Sequence, residues 1–416
     1  MNIKMTIPIR CQQTEVGVIP SDWGVRKCSS LSKLITVGIV IRPTQYYVEH
    51  GIPALRSANV REAGVDDSDM VHISEKANSL LAKSQLRRND IVTVRTGYPG
   101  TSAVVPERFA GANCIDILIT RPKAGVNPNF LAAWINSPHG KSQVLRKQGG
   151  LAQKHFNVGD MRELLVALPS SEAEQQAIAE ALGDADAWIE SLQGLIAKNR
   201  HLKQAAMQQL LTGKTRLPRF EGEWETKRLG EIGEVLIGLT YTPSDVAEHG
   251  TLVLRASNIQ ENTIVFQDDV YVSMEVPERT LVKSGDILIC VRNGSRDLIG
   301  KCAMIDQRSE EQGHAFGAFM AVFRTEYHDF VFHQFQSDLM KRQIHEHLGA
   351  TINQITNKSL NSFKVPFPAM SEQIAIAQVL TDMNNEIAAL EVKLAKARDI
   401  KQGMMQQLLT GKIRLV

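Results

Sequence analysis

MQQLLTGKTRL, residues 207–217, returns as MQQLLTGKIRL at residues 405–415, a displacement of 198 positions. Read chemically, TGKT resembles the end of a phosphate-binding loop. Such a loop needs a glycine five places before its Gly-Lys pair, on a turn after a strand, and a hydroxyl after the Lys for magnesium. Gln208 occupies the first of those places, inside an apolar-periodic stretch, and Ile413 replaces the hydroxyl in the second copy. The repeat therefore speaks of architecture. Residues 174–217 align with residues 372–415 without a gap and are identical at 24 of 44 positions, which is too long for a local motif. Fainter echoes fill the rest of each half. DWGVRK (22–27) answers EWETKR (223–228), and EHGIPALRSANV (49–60) answers EHGTLVLRASNI (248–259). NDIVTVRTG (89–97) answers GDILICVRNG (285–294) with one residue inserted, and GGLAQKHFN (149–157) loosely answers LGATINQIT (348–356). The chain is an internal duplication of a unit of about 200 residues, each with a variable region followed by a nearly constant one.

The constant region has helical periodicity. Ile178, Leu182, Ala185, Ile189, Leu192 and Ile196 fall at alternating steps of four and three, and Leu202, Ala206 and Leu210 continue the stripe. The second copy places Ile376, Leu380, Met383, Ile387, Leu390 and Leu394 at the same steps, followed by Ile400, Met404 and Leu408. This is an apolar seam of the coiled-coil kind. Pro169 and Pro368 precede the starts, Ser171 and Ser371 are the candidate N-caps, and Gly213 and Gly411 stand where a C-terminal glycine ends a helix. Forty residues at 1.5 Å each make a rod of roughly 60 Å. One such stripe would also suit a helix facing a globular core; two matched stripes in one chain favour pairing with each other.

The variable regions read differently. Short apolar and β-branched runs such as DIVTVRTGYPG, CIDILIT, TLVLRASNI and DILICVRNGS are broken by Gly, Pro, Asn and Asp, as strands and turns are. NFLAAWINS (129–137) and VFHQFQSDLMKRQIHEHL (331–348) add helix. The division expected is a variable α+β domain over residues 1–168, a constant helix over 169–213, a second variable domain over 214–368 and a second constant helix over 369–416.

Composition limits the function. With 43% hydrophobic and 22% charged residues over 416 positions, the chain is ordinary globular material with room for two or three cores. No apolar run approaches the length of a membrane span, and MNIKMTIPIRCQQTE lacks the apolar core of a signal peptide, so a cytoplasmic protein without a membrane contact is expected. Cys11, Cys28, Cys114, Cys290 and Cys302 are odd in number, scattered and free of any Cys-x-x-Cys pair, which argues against zinc and against a disulfide framework. A net charge of +2 is small for a chain that grips nucleic acid unaided.

These landmarks carry a resemblance. The GDIL…VRNG stretch, the P…SEQ…IA…L helix entry at residues 368–380 and the QLLTGK…RL exit resemble the specificity (S) subunits of type I restriction-modification systems, over essentially the whole chain. The first half departs slightly, with SSEAEQQAIAEAL carrying an extra residue before its Glu-Gln and NDIV replacing GDIL. The resemblance implies a tandem duplication of a target-recognition domain plus a long helix, the two long helices pairing as an antiparallel coiled coil. It implies a DNA-reading adaptor for double-stranded DNA with no catalysis of its own. Two methyltransferase (M) subunits would dock on it and methylate an adenine on each strand of a bipartite, asymmetric target, and two restriction (R) subunits could join them for cleavage. S-adenosylmethionine, and ATP with Mg2+, would be cofactors of those partners, and this chain would hold none.

The residues agree with that implication. No Asn/Asp-Pro-Pro-aromatic motif for amino-methylation is present; NPN at 127–129 lacks the second proline and the aromatic. Glu391 and Lys393 form a nuclease-like Glu-x-Lys, but they lie in the expected helix without an upstream Pro-Asp. His345 and His347 have neither a nucleophile nor a metal set beside them, so no catalytic or metal residue is expected. DNA contact asks for Arg and Lys at phosphates, and Arg, Asn and Gln at base edges, on loops that a scaffold presents. Three loops per half meet that demand. The first half offers Arg56, Ser57 and Asn59; Arg95, Thr96 and Tyr98; and Lys147, Gln148, Gln153, Lys154 and His155. The second offers Arg255, Ser257 and Asn258; Arg292, Asn293, Ser295 and Arg296; and Thr351, Asn353 and Gln354. Arg56 and Arg255 match between halves, so a shared structural contact and a DNA contact are equally open. Base readers should differ between the halves, as Tyr98 does from Ser295 and Lys154 from Asn353. A self-contained enzyme, a coiled-coil scaffold without DNA specificity and a specificity subunit of another restriction type are the alternatives.

Overall fold

The two stripes fold as helices of 39 residues each, Glu172–Leu210 and Met370–Leu408, in the computed structural model, which describes residues 11–147, 155–348 and 353–415. Ser171 caps the first, its Oγ accepting from the Glu174 N–H at 3.4 Å. The second begins two residues earlier than the serine suggests, at Met370. The Ala369 carbonyl accepts from the Glu372 and Gln373 N–H groups at 2.9 and 3.0 Å, so Ser371 lies inside the first turn rather than at the cap. Gly213 and Gly411 take left-handed φ values of 70° and 67° just beyond the two helix ends, the conformation glycine supplies at a C-terminus.

Two compact units result, and neither is a contiguous half. The first comprises Met1–Gly194 together with Glu391–Val416; the second is Leu195–Leu390. In each, the beginning of one long helix runs antiparallel to the end of the other. Lys401 pairs with Asp186 in the first unit, and Asn199 donates to Glu386 at 3.1 Å in the second. The seam keeps its four-three step strictly. After Ile196 it passes through Asn199 and Lys203, and after Leu394 through Ala397 and Lys401. Leu202 and Ile400, the apolar residues expected there, are 50% and 42% exposed. Helical geometry overrides the local preference for a leucine, and polar seam residues take partners within their own units.

The globular part of each unit is α+β. In the first, strands Ser102–Val104, Ile91–Val94, Ile117–Pro122 and Ser32–Val37 form an antiparallel sheet in that order. In the second, Cys302–Met304, Ile287–Cys290, Met320–Arg324 and Glu234–Ile237 repeat it. A smaller four-stranded sheet accompanies each, containing one parallel pair: Ile52–Leu55 with Asn113–Cys114, and Thr251–Leu254 with Ala315–Phe316. Two further antiparallel pairs, Gly24–Lys27 with Leu165–Leu168 and Glu225–Arg228 with Lys364–Phe367, lead the chain into the long helices. The helix expected over 331–348 is two, His328–Gln336 and Asp338–His347, with Ser337 between them capping the second. The first unit matches it with Pro128–Asn136 and Pro138–Lys147.

The repeated words of the sequence meet in space. Glu174, 1% exposed, receives Nε and Nη2 of Arg414 and, at 3.3 Å, the Trp23 indole N–H; Arg414 also holds Asp22 at 2.9 and 3.0 Å. Glu372, 2% exposed, receives Arg216 at 2.6 and 2.7 Å and the Trp224 indole at 3.1 Å. Each helix-entry glutamate thus binds the exit arginine of the other copy's helix. Gln175 and Gln373, next in the chain, donate to the carbonyls of Pro169 and Pro368 at 3.1 and 2.8 Å. An Arg414→Ala chain leaves the Glu174 carboxylate buried without its counter-charge and should lose about 3 kcal/mol in chemical denaturation of the first unit. Adding Glu174→Gln should restore part of that loss, whereas a merely exposed ion pair would show no recovery.

His333 is buried in the second unit, its Nε2 3.2 Å from Thr381 Oγ1. Burial, with Lys203 nearby, pushes its pKa down to about 4 against the opposing charge of Asp329. The unfolded chain therefore takes up the proton first, so stability is full above pH 6.5 and falls as pH drops from about 6.5 to about 4. His333→Gln should flatten the melting temperature of the second unit across that window, measured by calorimetry at stepped pH.

Candidate nucleic-acid interface

The first loop of each unit is closed from within. Asn59 Oδ1 accepts from the Arg56 N–H at 2.9 Å, and its amide donates to the carbonyls of Asp66 and Ser68 at 3.1 and 2.9 Å. Asn258 repeats this with the Arg255 N–H, the Val265 carbonyl and Asp269. Both asparagines are buried, so they belong to the loop scaffold and not to its outer surface. Arg56 Nη2 donates to the Asp69 carbonyl at 2.6 Å and to its carboxylate at 2.9 Å; Arg255 does the same to Asp268 at 2.6 and 3.0 Å. Asp69 and Asp268 both have left-handed backbones, φ 51° and 57°, so each arginine fastens a turn that its aspartate alone would hold poorly. Ser57 is half-buried and Ser257 exposed.

The second and third loops meet. In the first unit the Phe156 N–H donates to the Arg95 carbonyl at 3.1 Å, and Arg95 Nε donates back to the Phe156 carbonyl at 3.3 Å. The Arg95 guanidinium, 16% exposed, also pairs with Asp116. In the second unit the corresponding bond runs from the Ile355 N–H to Val291, at 2.8 Å. Arg95 and Arg292 are therefore out of register. Gly100 returns to the Val94 carbonyl and Gly300 to that of Cys290, six and ten positions on, so the second loop is four residues longer and its insertion follows Val291. Arg292, exposed, lies over the Phe319 ring with 5.0 Å to its centroid. The Asn293 N–H reaches the Asn353 carbonyl at 3.3 Å, Asn353 Nδ2 donates to Gly294 at 3.0 Å, and Arg292 bridges to Gln354.

The outward side chains of these loops differ between the units. Tyr98 is 86% exposed, with Thr96 partly buried beside it and His155 exposed on the third loop. The second unit presents Arg292, Ser295, Arg296 and Gln354, with Asn293 and Asn353 partly covered. Lys147 ends the helix Pro138–Lys147; Gln148, Gln153, Lys154 and Thr351 lie outside the described residues.

A fourth loop joins the cluster that the three sequence loops did not include. The Gly38 and Ile39 N–H groups donate to the carbonyls of Ile117 and Cys114 at 2.9 and 2.8 Å, and Asp116 N–H donates to Ile39 at 3.0 Å. Leu239 lies in the same way between Phe316 and Ala318. A Cβ on Gly38 would stand 2.4 Å from the Cys114 carbonyl oxygen, and one on Gly238 2.1 Å from that of Gly317, so glycine is required at both. Ile39 is thereby held against Asp116, and Val40 and Ile41, 48% and 75% exposed, and exposed Arg42 follow it outward. The available signal was the shared Gly-x-x-x-x-Pro of GIVIRP (38–43) and GLTYTP (238–243).

The aspartates of NDIV and GDIL belong to the scaffold. Asp90 and Asp286, 1% and 2% exposed, accept both arms of Arg121 and Arg324, all at 2.7 Å. Nothing among the described residues gathers three His, Cys, Asp or Glu side chains as a metal site would. Burial pushes the thiols of Cys28 and Cys302 up to about 11 and 12, far from a nucleophile's range. Among the described residues no helix is long and apolar enough to cross a membrane.

A family model described as the type I restriction modification DNA specificity domain matches residues 20–198 and again residues 221–397. The chain belongs to this family. It is a type I restriction-modification specificity subunit with two target-recognition domains, one per match. Among its relatives, the protein assigned as the type I restriction enzyme MjaX specificity subunit of Methanocaldococcus jannaschii is 24% identical over 442 residues, covering 97% of this chain and 96% of that one. The EcoKI specificity subunit of Escherichia coli K12 is 26% identical over 199 residues, 46% of this chain and 42% of its own. The S subunit structure from M. genitalium superposes with a TM-score of 0.60 at 15% identity over 98% of both chains. A chain from a study of type I complex assembly and conformational transition gives 0.58 at 17% identity, covering 94% of this chain and 99% of that one. These two show that the specificity subunit shares their fold.

Since Arg56 and Arg255 fasten their own loops, Arg56→Ala and Arg255→Ala should each cost on the order of 1 kcal/mol in their unit. Neither should change which DNA sequence the specificity subunit selects, as read by sequencing the DNA it retains. A lost base preference with unchanged stability would assign them to DNA instead.

Proposed function

We propose that this specificity subunit reads double-stranded DNA through the clustered loops of its two target-recognition domains and directs adenine methylation by partner subunits. The observation that carries this reading is the pairing of like scaffolds with unlike surfaces. Matched backbone bonds hold both loop clusters, while Ile41 and Tyr98 stand exposed in one and Arg292, Arg296 and Phe319 in the other. Readers built so take two different half-sites, with bases between them left unread. The target is bipartite and asymmetric. Side chains on positioned loops supply base-edge contacts, and lysines and arginines around them take phosphates.

The chain itself performs no chemistry in this reading. S-adenosylmethionine, and ATP with Mg2+, belong to its methyltransferase and restriction partners. Two methyltransferase subunits bind per chain, because the helix-entry and helix-exit sequences occur twice, and two restriction subunits join for cleavage. With a net charge of +2, the chain draws much of its DNA affinity from those partners. The complex works in the cytoplasm.

Adenine methylation mapped across the host genome, with and without this gene, tests the reading. One bipartite motif should vanish on deletion. Exchanging residues 218–368 for those of another specificity subunit should change one half-site and leave the other intact. A contiguous or palindromic motif, or none that depends on the gene, would overturn it. Mass measurement at saturating methyltransferase should give two partner copies per chain.

A further inference from the structure

Arg95 and Arg292 leave equivalent strands one residue apart, yet both reach the residue just before the next core strand. That residue is Asp116 in the first unit and Phe319 in the second, each immediately preceding the paired positions Ile117 and Met320. The chemistry of the two pairs is opposite. Asp116 neutralises Arg95, which is also tied to the Phe156 carbonyl and is only 16% exposed. Phe319 leaves the charge of Arg292 intact. The Val291 and Arg292 N–H groups both donate to the Phe319 carbonyl at 3.1 Å, tying the two backbones together, and the guanidinium lies over the Phe319 ring. Phe319 is nonetheless 57% exposed, a large apolar side chain standing in solvent beside the second loop.

We propose that Arg292 and Phe319 form one specificity-determining element of the second target-recognition domain, in which Arg292 reads a guanine in the major groove and Phe319 contacts the methyl group of an adjoining thymine. This rests on the DNA-reading function above. A guanidinium held over a ring by cation–π attraction keeps its charge and its N–H donors free for a ligand and loses little further rotamer freedom on binding. Its forked donors match O6 and N7 of guanine, and an apolar surface such as phenylalanine matches the thymine methyl. The first domain cannot use Arg95 in this way, because Asp116 already occupies the guanidinium; Tyr98 and Ile41 are its exposed counterparts. Phe319 gave no signal in the sequence because one of three phenylalanines in HAFGAFMAVF reads as core, between buried Phe316 and Phe323.

The test uses the full chain with its methyltransferase partner, on DNA whose second half-site is randomised, with methylated products sequenced. The wild-type chain should require a guanine at one position of the half-site that follows residues 218–368 in a domain exchange. Arg292→Ala should lower discrimination at that position roughly ten- to a hundred-fold, with the first half-site unchanged. Arg292→Lys should relax the same position, because an ammonium keeps the charge but loses the fork. Phe319→Ala should weaken preference at the adjoining base pair, and Phe319→Asp, which imports the first domain's pairing, should copy Arg292→Ala. Melting temperatures monitor folding, and the Arg292→Lys arm decides the matter if Phe319→Asp fails to fold. An unchanged motif in the Arg292 variants, or a uniform loss at all sites with no base relaxed, overturns the proposal, the second outcome marking a phosphate contact. Wild-type chain that directs no sequence-specific methylation would instead defeat the DNA-reading function itself.

Discussion

A buried carboxylate in the first turn of each long helix takes its counter-charge from a segment far away in the chain. Glu174 is closed by Arg414, 240 positions on, and Glu372 by Arg216, 156 positions back. A carboxylate left alone at that depth would cost several kcal/mol, so neither unit is complete until the exit of the opposite helix has arrived. This explains why three separated words are repeated together. DW or EW supplies the indole, the Glu-Gln supplies the acceptor and a proline-carbonyl bond, and GK-x-R supplies the arginine. It also explains why the compact units cut across the sequence halves. A duplication folded half by half would pair Glu174 with Arg216; the structure pairs each entry with the other exit.

On top of that frame, conserved chemistry and divergent chemistry occupy different depths. Asp90 with Arg121 and Asp286 with Arg324 lock the main sheet identically in both units, at 1–2% exposure of the acid. The first loops repeat the bonds of arginine to aspartate and of asparagine to the arginine N–H, and differ only in the last acceptor of the asparagine amide, the Ser68 carbonyl in one and Asp269 in the other. Differences begin where solvent begins, at Tyr98, Ile41, Arg292 and Phe319. Recognition that must change between domains without unfolding either is best carried by side chains whose removal leaves the loops bonded, and the backbone bonds from Phe156 and Ile355 hold those loops whatever is displayed above them.

The sequence made the duplication, the two helices and the main strands legible, because each is written many times over in period and repeat; the antiparallel pairing was implied only by the family resemblance. What it hid was decided by single bonds. Leu202 looked like seam, yet the four-three step puts partly buried Lys203 on the seam and leaves Leu202 50% exposed. Ser371 looked like a cap, but without the extra residue of the first half the Ala369 carbonyl does that work. Asn59 and Asn258 have the side chain of a base reader and are spent on their own turns. Arg95 and Arg292 align by letter and not by register, since the backbone bonds from Phe156 and Ile355 pair Arg95 with Val291 and the extra residues of the second loop come after it. The Gly38 and Gly238 loops carried a shared spacing, but nothing local says that they run beside residues 114–117 and 316–318. Such contacts are set by tertiary proximity, which one chain's letters do not encode.

The polar residues within the helix seam are the least expected feature and the one with the clearest physical use. An all-apolar seam of alternating four and three steps tolerates a slip of one heptad, because every turn looks like the next. Here each unit contains something that such a slip would break. In the first, Lys401 sits on Asp186, whose carboxyl burial raises while the ammonium pulls it back. In the second, Asn199 meets Glu386, and Lys203, its pKa lowered by burial, lies near buried His333. The matching position to Asp186 is Asn384, so the first unit's ion pair has no duplicate and the two registers are marked by different chemistry. The seam thereby gives up some apolar burial for a single alignment, and that alignment is what delivers Arg414 to Glu174 and Arg216 to Glu372.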